Sequence, residues 1–483
     1  MKLILTFFVF FVVTVVAEAK ESQPNVIIIL SDDQSYTDYS FMGHEHIETP
    51  RLDKLASESA LFRRAYVPTA LCRPALMTIA TGLYAHDNGV TGNNPSKTPA
   101  NAAHEEGTGK EDLELIISNV DRTGTLPKWL GEAGYLSHQS GKWWEGSYQR
   151  GGFTHGMTRG YPEPGGRHGD DGLKIGREGL KPVFEFIDSA VEQEKPFFMW
   201  YAAFMPHTPH NPPARLHEKY LARGLEDEHA KYYAMCEWYD ETCGALVDYI
   251  DEAGLGENTL IVYVADNGWI QSETGSYEAR SKRSPNEGGT RTPIMFRWTG
   301  TVQAADRPEL CSSIDIVPTI LGATGATAPH EFPGLNLLPE LKSGDKIERD
   351  ILFGESFAHD IADVKKPEAS LLYRWVIKGN KKLLLTYDGS QGKMKYPPQD
   401  FRPQLYDLAK DPGETNNLAK SDPETVAKLA KHIENWWPVK DQKTVLEWSD
   451  ELVVLPTVEN AKAAEPVAKR ARGKGKGKGK AKE

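Results

Sequence analysis

Two apolar runs, residues 26–30 (VIIIL) and 260–264 (LIVYV), are rich in β-branched side chains and show no polar alternation. Runs of this kind are strands covered on both faces, which points to a mostly parallel sheet packed between helices. Each run ends within two residues in oxygen donors: Asp32 and Asp33 after the first, Asp266, Asn267 and Gly268 after the second. Ligands collect beyond the carboxyl ends of strands in open α/β sheets. Asp32, Asp33, Asp266 and Asn267 are therefore predicted to meet in space. Three carboxylates and an amide oxygen, with no imidazole or thiolate among them, suit a hard divalent cation, Ca²⁺ before Mg²⁺, better than zinc. Taken singly, each group has a plainer explanation as a helix cap or a turn after a strand.

The chain of 483 residues is long enough for a large α/β unit and a second, smaller one. Strand and helix patterns alternate from residue 26 to about 321, as expected of a doubly wound sheet with helices on both faces. Two Gly-rich insertions, 91–112 and 145–175, interrupt the alternation and read as substrate loops. Residues 333–345 read as a linker, after which 351–353, 371–378 and 382–387 suggest an antiparallel sheet followed by a helix at 423–437. The expected layout is a signal peptide (1–19), an α/β domain bearing the site (20–345), a smaller C-terminal α+β domain (346–445) and a basic tail (446–483). Lys2, the apolar stretch 3–16 and Ala17-Glu18-Ala19 have the form of an export signal cleaved after Ala19, which implies a periplasmic or secreted protein. The stretch is shorter than the roughly 20 residues a membrane span needs, so no stable membrane association is expected.

Export permits disulfides, yet there are only four cysteines, Cys72, Cys236, Cys243 and Cys311. Cys236 and Cys243 lie seven apart on one helical pattern, separated along its axis by about 10 Å, and are not expected to bond. The net charge is −12, but residues 462–483 hold nine Lys/Arg against two Glu, leaving −19 on the remainder. So acidic a body is unlike a nucleic-acid binder. The Gly/Lys tail lacks the apolar residues that would offset the entropy of ordering it.

The segment Leu71-Cys72-Arg73-Pro74 opens a helical pattern, with Pro74 suited to a first turn and Cys72 at the N-terminal end, where the helix dipole favours negative charge. Cys-x-Pro with Thr81-Gly82 downstream, followed by "LYAHDNGV", resembles the signature of the type I sulfatases of the alkaline-phosphatase superfamily. Further resemblances follow in order. Asp32-Asp33 and "ADNG" (265–268) are similar to the family's metal pairs, and "GKWW" (141–144) to its Gly-Lys-Trp-His. "MPHTPH" (205–210), "SKRSPNEGGTRTP" (281–293) and "LYDLAKDPGETNNLA" (405–419) also match.

The resemblance implies a sulfate-ester hydrolase, acting on sulfated carbohydrate, in which a maturation enzyme oxidises Cys72 to formylglycine. The hydrated aldehyde attacks sulfur, and its second hydroxyl expels sulfate. Asp32, Asp33, Asp266 and Asn267, with residue 72, would hold Ca²⁺. Lys142 and Lys282 would bind sulfate oxygens, and His207 would protonate the leaving oxygen.

Two signature positions differ: Leu76 stands where the family has arginine, and Trp144 where it has histidine. Neither offers an equivalent charge. Three readings follow: a divergent sulfatase in which Arg73, next to Cys72, supplies the cation; a phosphate or phosphonate ester hydrolase using the Cys72 thiolate; or a non-catalytic binder of sulfated glycans. The intact metal set, with Lys142, His207 and Lys282, argues against the third, and the first is favoured. Tyr148, Arg150, Arg159, His168, His210 and Arg215 are further candidates near the substrate.

Overall fold

A computed structural model describes residues 23–96, 109–388, 398, 400–440 and 442–453. The signal-peptide reading and the basic tail beyond 453 lie outside the described residues. In chain order the strands are β1 (Asn25–Ser31), β2 (Ala60–Tyr66), β3 (Asn94–Pro95), β4 (Leu136–Gly141), β5 (His155–Gly156), β6 (Phe197–Ala202), β7 (Thr259–Ala265), β8 (Arg291–Arg297), β9 (Ala305–Arg307), β10 (Cys311–Ser312), β11 (Ile351–Phe357), β12 (Asp360–Ile361), β13 (Leu371–Lys378), β14 (Lys381–Thr386) and β15 (Gln404–Asp407).

The main sheet has nine strands in the order β10-β2-β8-β7-β1-β6-β4-β5, with β9 also paired to β2. It is parallel except where β8 runs against β7 and β2. Every residue of β1 and β7 is buried, as their unalternating apolar sequences require. Side chains of one parity, such as Val26, Ile28 and Leu30, pack with Trp129, Ile316 and Ile320 on one face. Those of the other, Ile27 and Ile29, pack with Ile187, Tyr239 and Leu246 on the opposite face. The chain is thus doubly wound, as expected. The four cysteines are free and buried.

The second sheet, β11-β13-β14-β15, is antiparallel and is covered by the helix Pro423–Trp436 through Val426, Leu429 and Ile433. Residues 333–345 differ from the expectation of a linker. They contain the helix Leu338–Ser343, whose Leu341, with Leu337 four residues before it, enters the core of the main sheet. That spacing places both leucines on one helical face. No helix among the described residues is long and apolar enough to cross a membrane.

Candidate active site

The register of β1 on β7 pairs Ser31 with Ala265, so Asp32 and Asp266 leave the sheet side by side. The Asp266 amide donates to the Ser31 carbonyl (2.9 Å), which keeps the two exits together. Asp33 follows in the left-handed region (φ 64°), which reverses the chain at once and turns its amide to Asp266 Oδ1 (3.1 Å). Asn267 Nδ2 donates to Asp33 Oδ1 (2.7 Å), and the Tyr232 hydroxyl donates to the Asp33 carbonyl (3.1 Å).

The helix Cys72–Thr81 begins after an extended Leu71, and all ten of its residues are buried. The loop carrying Lys282 is tied to the approach to this helix by a hydrogen bond from the Arg283 amide to the Ala70 carbonyl (2.8 Å). Lys282 Nζ lies 3.2 Å from Cys72 Sγ and 2.6 Å from Asp33 Oδ1. Lys142 follows β4 and pairs with Asp32 at 2.6 Å. It is presented by Gly141 (φ 81°), where a Cβ would lie 1.8 Å from the Ala202 carbonyl oxygen. His207 comes from the loop after β6 and places Nε2 3.4 Å from Asp33 Oδ2. Its Nδ1 is 2.7 Å from the Thr208 carbonyl, which can only accept, so Nδ1 carries a proton.

The eight positions singled out from sequence, Asp32, Asp33, Cys72, Lys142, His207, Asp266, Asn267 and Lys282, therefore converge. Donor atoms of Asp32, Asp33, Cys72 and His207 lie within 4.8 Å of one another. Asp266 Oδ2 and Asn267 Oδ1 are buried with no hydrogen-bond partner. Buried, unpartnered oxygens beside carboxylates fit a hard cation.

The charges shape one another. Burial opposes ionisation of Asp33, yet Lys282, His207 and Lys142 hold its carboxyl down at about 2. Burial, followed by the Asp32 charge, pushes Asp266 well above the carboxylate range. Burial also raises the Cys72 thiol to about 12, against the pull of Lys142 and Lys282. Burial works against both ammonium groups, but Asp32 keeps Lys142, and Asp33 keeps Lys282, above the ordinary lysine value.

Arg73 does not face Cys72. Its fully buried guanidinium makes two 2.7 Å bonds to Glu145 and a third, of 3.1 Å, to the Asn93 carbonyl. Adjacency in sequence places it on the other side of the helix start, where the buried Glu145 carboxylate claims it. Leu76 is packed in the main core. Arg150 pairs with Glu114 and Asp121, and Arg215 with Glu241. Tyr148 packs at the core edge, and Arg159 is exposed. His210 is near Tyr232 and Trp269, with Nε2 buried and unpartnered.

Several contributors carried no local signal in the sequence. Tyr232 reaches Asp33 from the helix Asp227–Glu252. Phe204 stacks on His207 at 4.3 Å, and Lys142 Nζ lies 5.2 Å from the centre of its ring. Arg177 donates to the carbonyls of Phe204 (2.8 Å), His207 (3.0 Å) and Pro209 (3.4 Å).

A doubly wound sheet with Asp32-Asp33 at one strand end and Asp266-Asn267 at its neighbour, facing a helix-initial cysteine flanked by lysines, defines a hydrolase-type centre for an anionic ester. Residues 24–326 match the sulfatase family model, and 275–437 match the model for the C-terminal region of N-sulphoglucosamine sulphohydrolase. The chain belongs to the sulfatase family, and it is a sulfuric ester hydrolase. It is 25% identical to human N-acetylgalactosamine-6-sulfatase over 90% of both chains. It is 27% identical to human arylsulfatase A over 82% of this chain and 83% of that one. Among solved structures it is similar to the putative sulfatase yidJ from Bacteroides fragilis, with TM-score 0.68 and 21% identity over 87% of this chain and 96% of the other.

Proposed function

We propose that the protein removes sulfate from sulfated carbohydrate, with Cys72 oxidised to formylglycine as the nucleophile and Ca²⁺ as the bound cation. One observation carries this reading: Cys72 Sγ lies at a helix start 3.2 Å from Lys282 Nζ, inside the ring of Asp32, Asp33 and His207. The human relative named for N-acetylgalactosamine 6-sulfate supports an amino-sugar ester as the first substrate to try.

Asp32, Asp33, Asp266 and Asn267 would hold the cation, which when bound supplies Lewis-acid polarisation. Formylglycine supplies a hydrated aldehyde, one hydroxyl to attack sulfur and a second to release sulfate. Lys142 and Lys282 bind the sulfate oxygens and offset the charge that grows on the leaving oxygen. His207 is held by the Thr208 carbonyl at Nδ1, which leaves Nε2 facing the site; once the ring is doubly protonated, Nε2 gives its proton to the departing oxygen.

Peptide mass spectrometry of the Cys72 fragment from protein exported by its native host tests the nucleophile. A loss of about 18 Da, the change from thiol to aldehyde, is expected even though Leu76 replaces the signature arginine. Full occupancy by an unmodified thiol would overturn the formylglycine reading. Turnover of N-acetylgalactosamine 6-sulfate that disappears with chelator and returns with Ca²⁺ tests the rest.

A further inference from the structure

His168 lies in the 145–175 insertion, yet its backbone is fixed from both sides. Asp170 accepts from the amides of Arg167 (2.6 Å) and Gly160 (2.7 Å), and Thr158 Oγ1 donates to the Gly169 carbonyl (3.1 Å). Gly169 and Gly172 sit so tightly on Gly141 that a Cβ at either would lie 2.8 Å from the Gly141 carbonyl oxygen. The insertion is thereby seated on the residue that presents Lys142. The imidazole stacks on Trp144 at 4.5 Å, and the Arg73 guanidinium lies 5.9 Å from that indole ring. It also lies 6.1 Å from Phe204, the ring shared by His207 and Lys142.

Among the described residues neither ring nitrogen of His168 finds a hydrogen-bond partner. The half-buried imidazole is thus held firmly, with its nitrogens open to a ligand, in the field of Lys142, Arg167, Asp32 and His207. Burial, with Lys142 next, holds it down at about 4, so at neutral pH one nitrogen donates and the other accepts.

We propose that His168 is a substrate-contacting residue, hydrogen-bonding a sulfate oxygen on the Lys142 side of the site. The proposal rests on the sulfatase reading above. It also gives Trp144 a purpose, as the shelf that orients the ring.

The test compares wild type with His168→Ala and His168→Gln on the sulfate ester that wild type hydrolyses best, with Ca²⁺ present. A roughly ten- to hundredfold fall in kcat/KM is expected for alanine, the usual range for losing one hydrogen bond to a charged group. The thermal midpoint should hold, and glutamine, which keeps a donor, should recover part of the rate. Independently, the His168 ring Cε1–H resonance, assigned by its absence from the His168→Gln spectrum, should shift saturably with inorganic sulfate. A resonance that sulfate leaves unmoved, or an alanine variant within twofold of wild type, would overturn the contact. If wild type hydrolyses no sulfate ester while sulfate still moves the resonance, the hydrolase reading fails and the contact stands.

Discussion

Asp266 shows how the site is poised. Its Oδ1 accepts the Asp33 amide, while Oδ2 is buried without a partner beside the Asp32 carboxylate. Without a cation, the folded protein must either keep a second charge beside Asp32 or take up a proton at Asp266, and both cost stability. Asp266→Asn keeps the accepting oxygen and removes the charge. It is expected to raise the thermal midpoint in chelator by a few degrees, about 1–2 kcal/mol. It should also lose most of the stabilisation that Ca²⁺ gives wild type, which amounts to about 2.7 kcal/mol at a hundredfold excess over Kd. Calorimetry with EDTA and with Ca²⁺ checks both signs. A midpoint unaffected by Ca²⁺ in wild type would remove these residues as a calcium site. A second residue gives a pH signature. Burial lowers His138, on β4, to about 4. Its unfolded value is near 6.5, so the unfolded chain binds the proton first, and the contribution of the neutral ring is lost as pH falls from 6.5 to 4. Urea midpoints measured across that window should fall less steeply in His138→Gln than in wild type, by up to about 3 kcal/mol at the acid end.

At the scale of elements, rigid strands deliver the carboxylates, a helix start delivers Cys72, and pinned loops deliver His207 and Lys282. The ends of β1 and β7 were legible in the sequence, because a run buried on both faces has a recognisable composition and the residues after it must be the ligands. The helix-initial place of Cys72 was legible because Pro74 marks a first turn, whereas its role as nucleophile came only from the resemblance to the sulfatase signature. The partner of Arg73 was not: Glu145 is 72 residues away, and chain adjacency to Cys72 says nothing about which face of the helix start a guanidinium takes. The helix Leu338–Ser343 was missed because six residues after Pro- and Gly-rich sequence carry too few periodic positions to separate from a linker. Arg177 was equally silent, yet its guanidinium spans the carbonyls of Phe204, His207 and Pro209 and so fixes the loop that carries the proposed proton donor. Arg177→Ala is expected to lower kcat/KM by roughly ten- to a hundredfold through misplacement of His207. Arg177→Lys should fail to restore it, because the shorter lysine ends before the position of Nη2 and lacks the fork by which Nε and Nη1 also hold the Phe204 and Pro209 carbonyls. Steady-state kinetics on both variants decide this, and a twofold effect or less would mean that the loop holds itself.

For the whole molecule, the smaller sheet closes on the main one through a buried charge cluster, and the cluster reaches the active site. Lys382 on β14 is fully buried between Glu287 (3.0 Å) and Glu414 (3.1 Å), and the Tyr66 hydroxyl donates to Glu287 Oε2 (3.0 Å). Glu414 Oε2 in turn accepts the Glu287 amide (2.8 Å), fixing the short helix Glu287–Thr290. Gly289 on that helix accepts the Gly268 amide (2.8 Å), one residue past Asn267. The cluster is therefore a physical path from the C-terminal sheet to the cation ligands. Removing the lysine alone leaves Glu287 and Glu414 only the longer contacts to Arg291 (3.6 Å) and Arg280 (3.8 Å), so Lys382→Met is expected to cost about 3 kcal/mol and to weaken Ca²⁺ binding as the Gly268 contact loosens. Neutralising all three positions, as Lys382→Met with Glu287→Gln and Glu414→Gln, removes the uncompensated charge and should return most of the stability. Urea unfolding of the single and triple variants separates the two effects. Equal losses in both would mean that the seat of Lys382 Nζ between the rings of Trp375 (5.4 Å) and Tyr66 (6.0 Å) holds the sheets together and that the carboxylates do not.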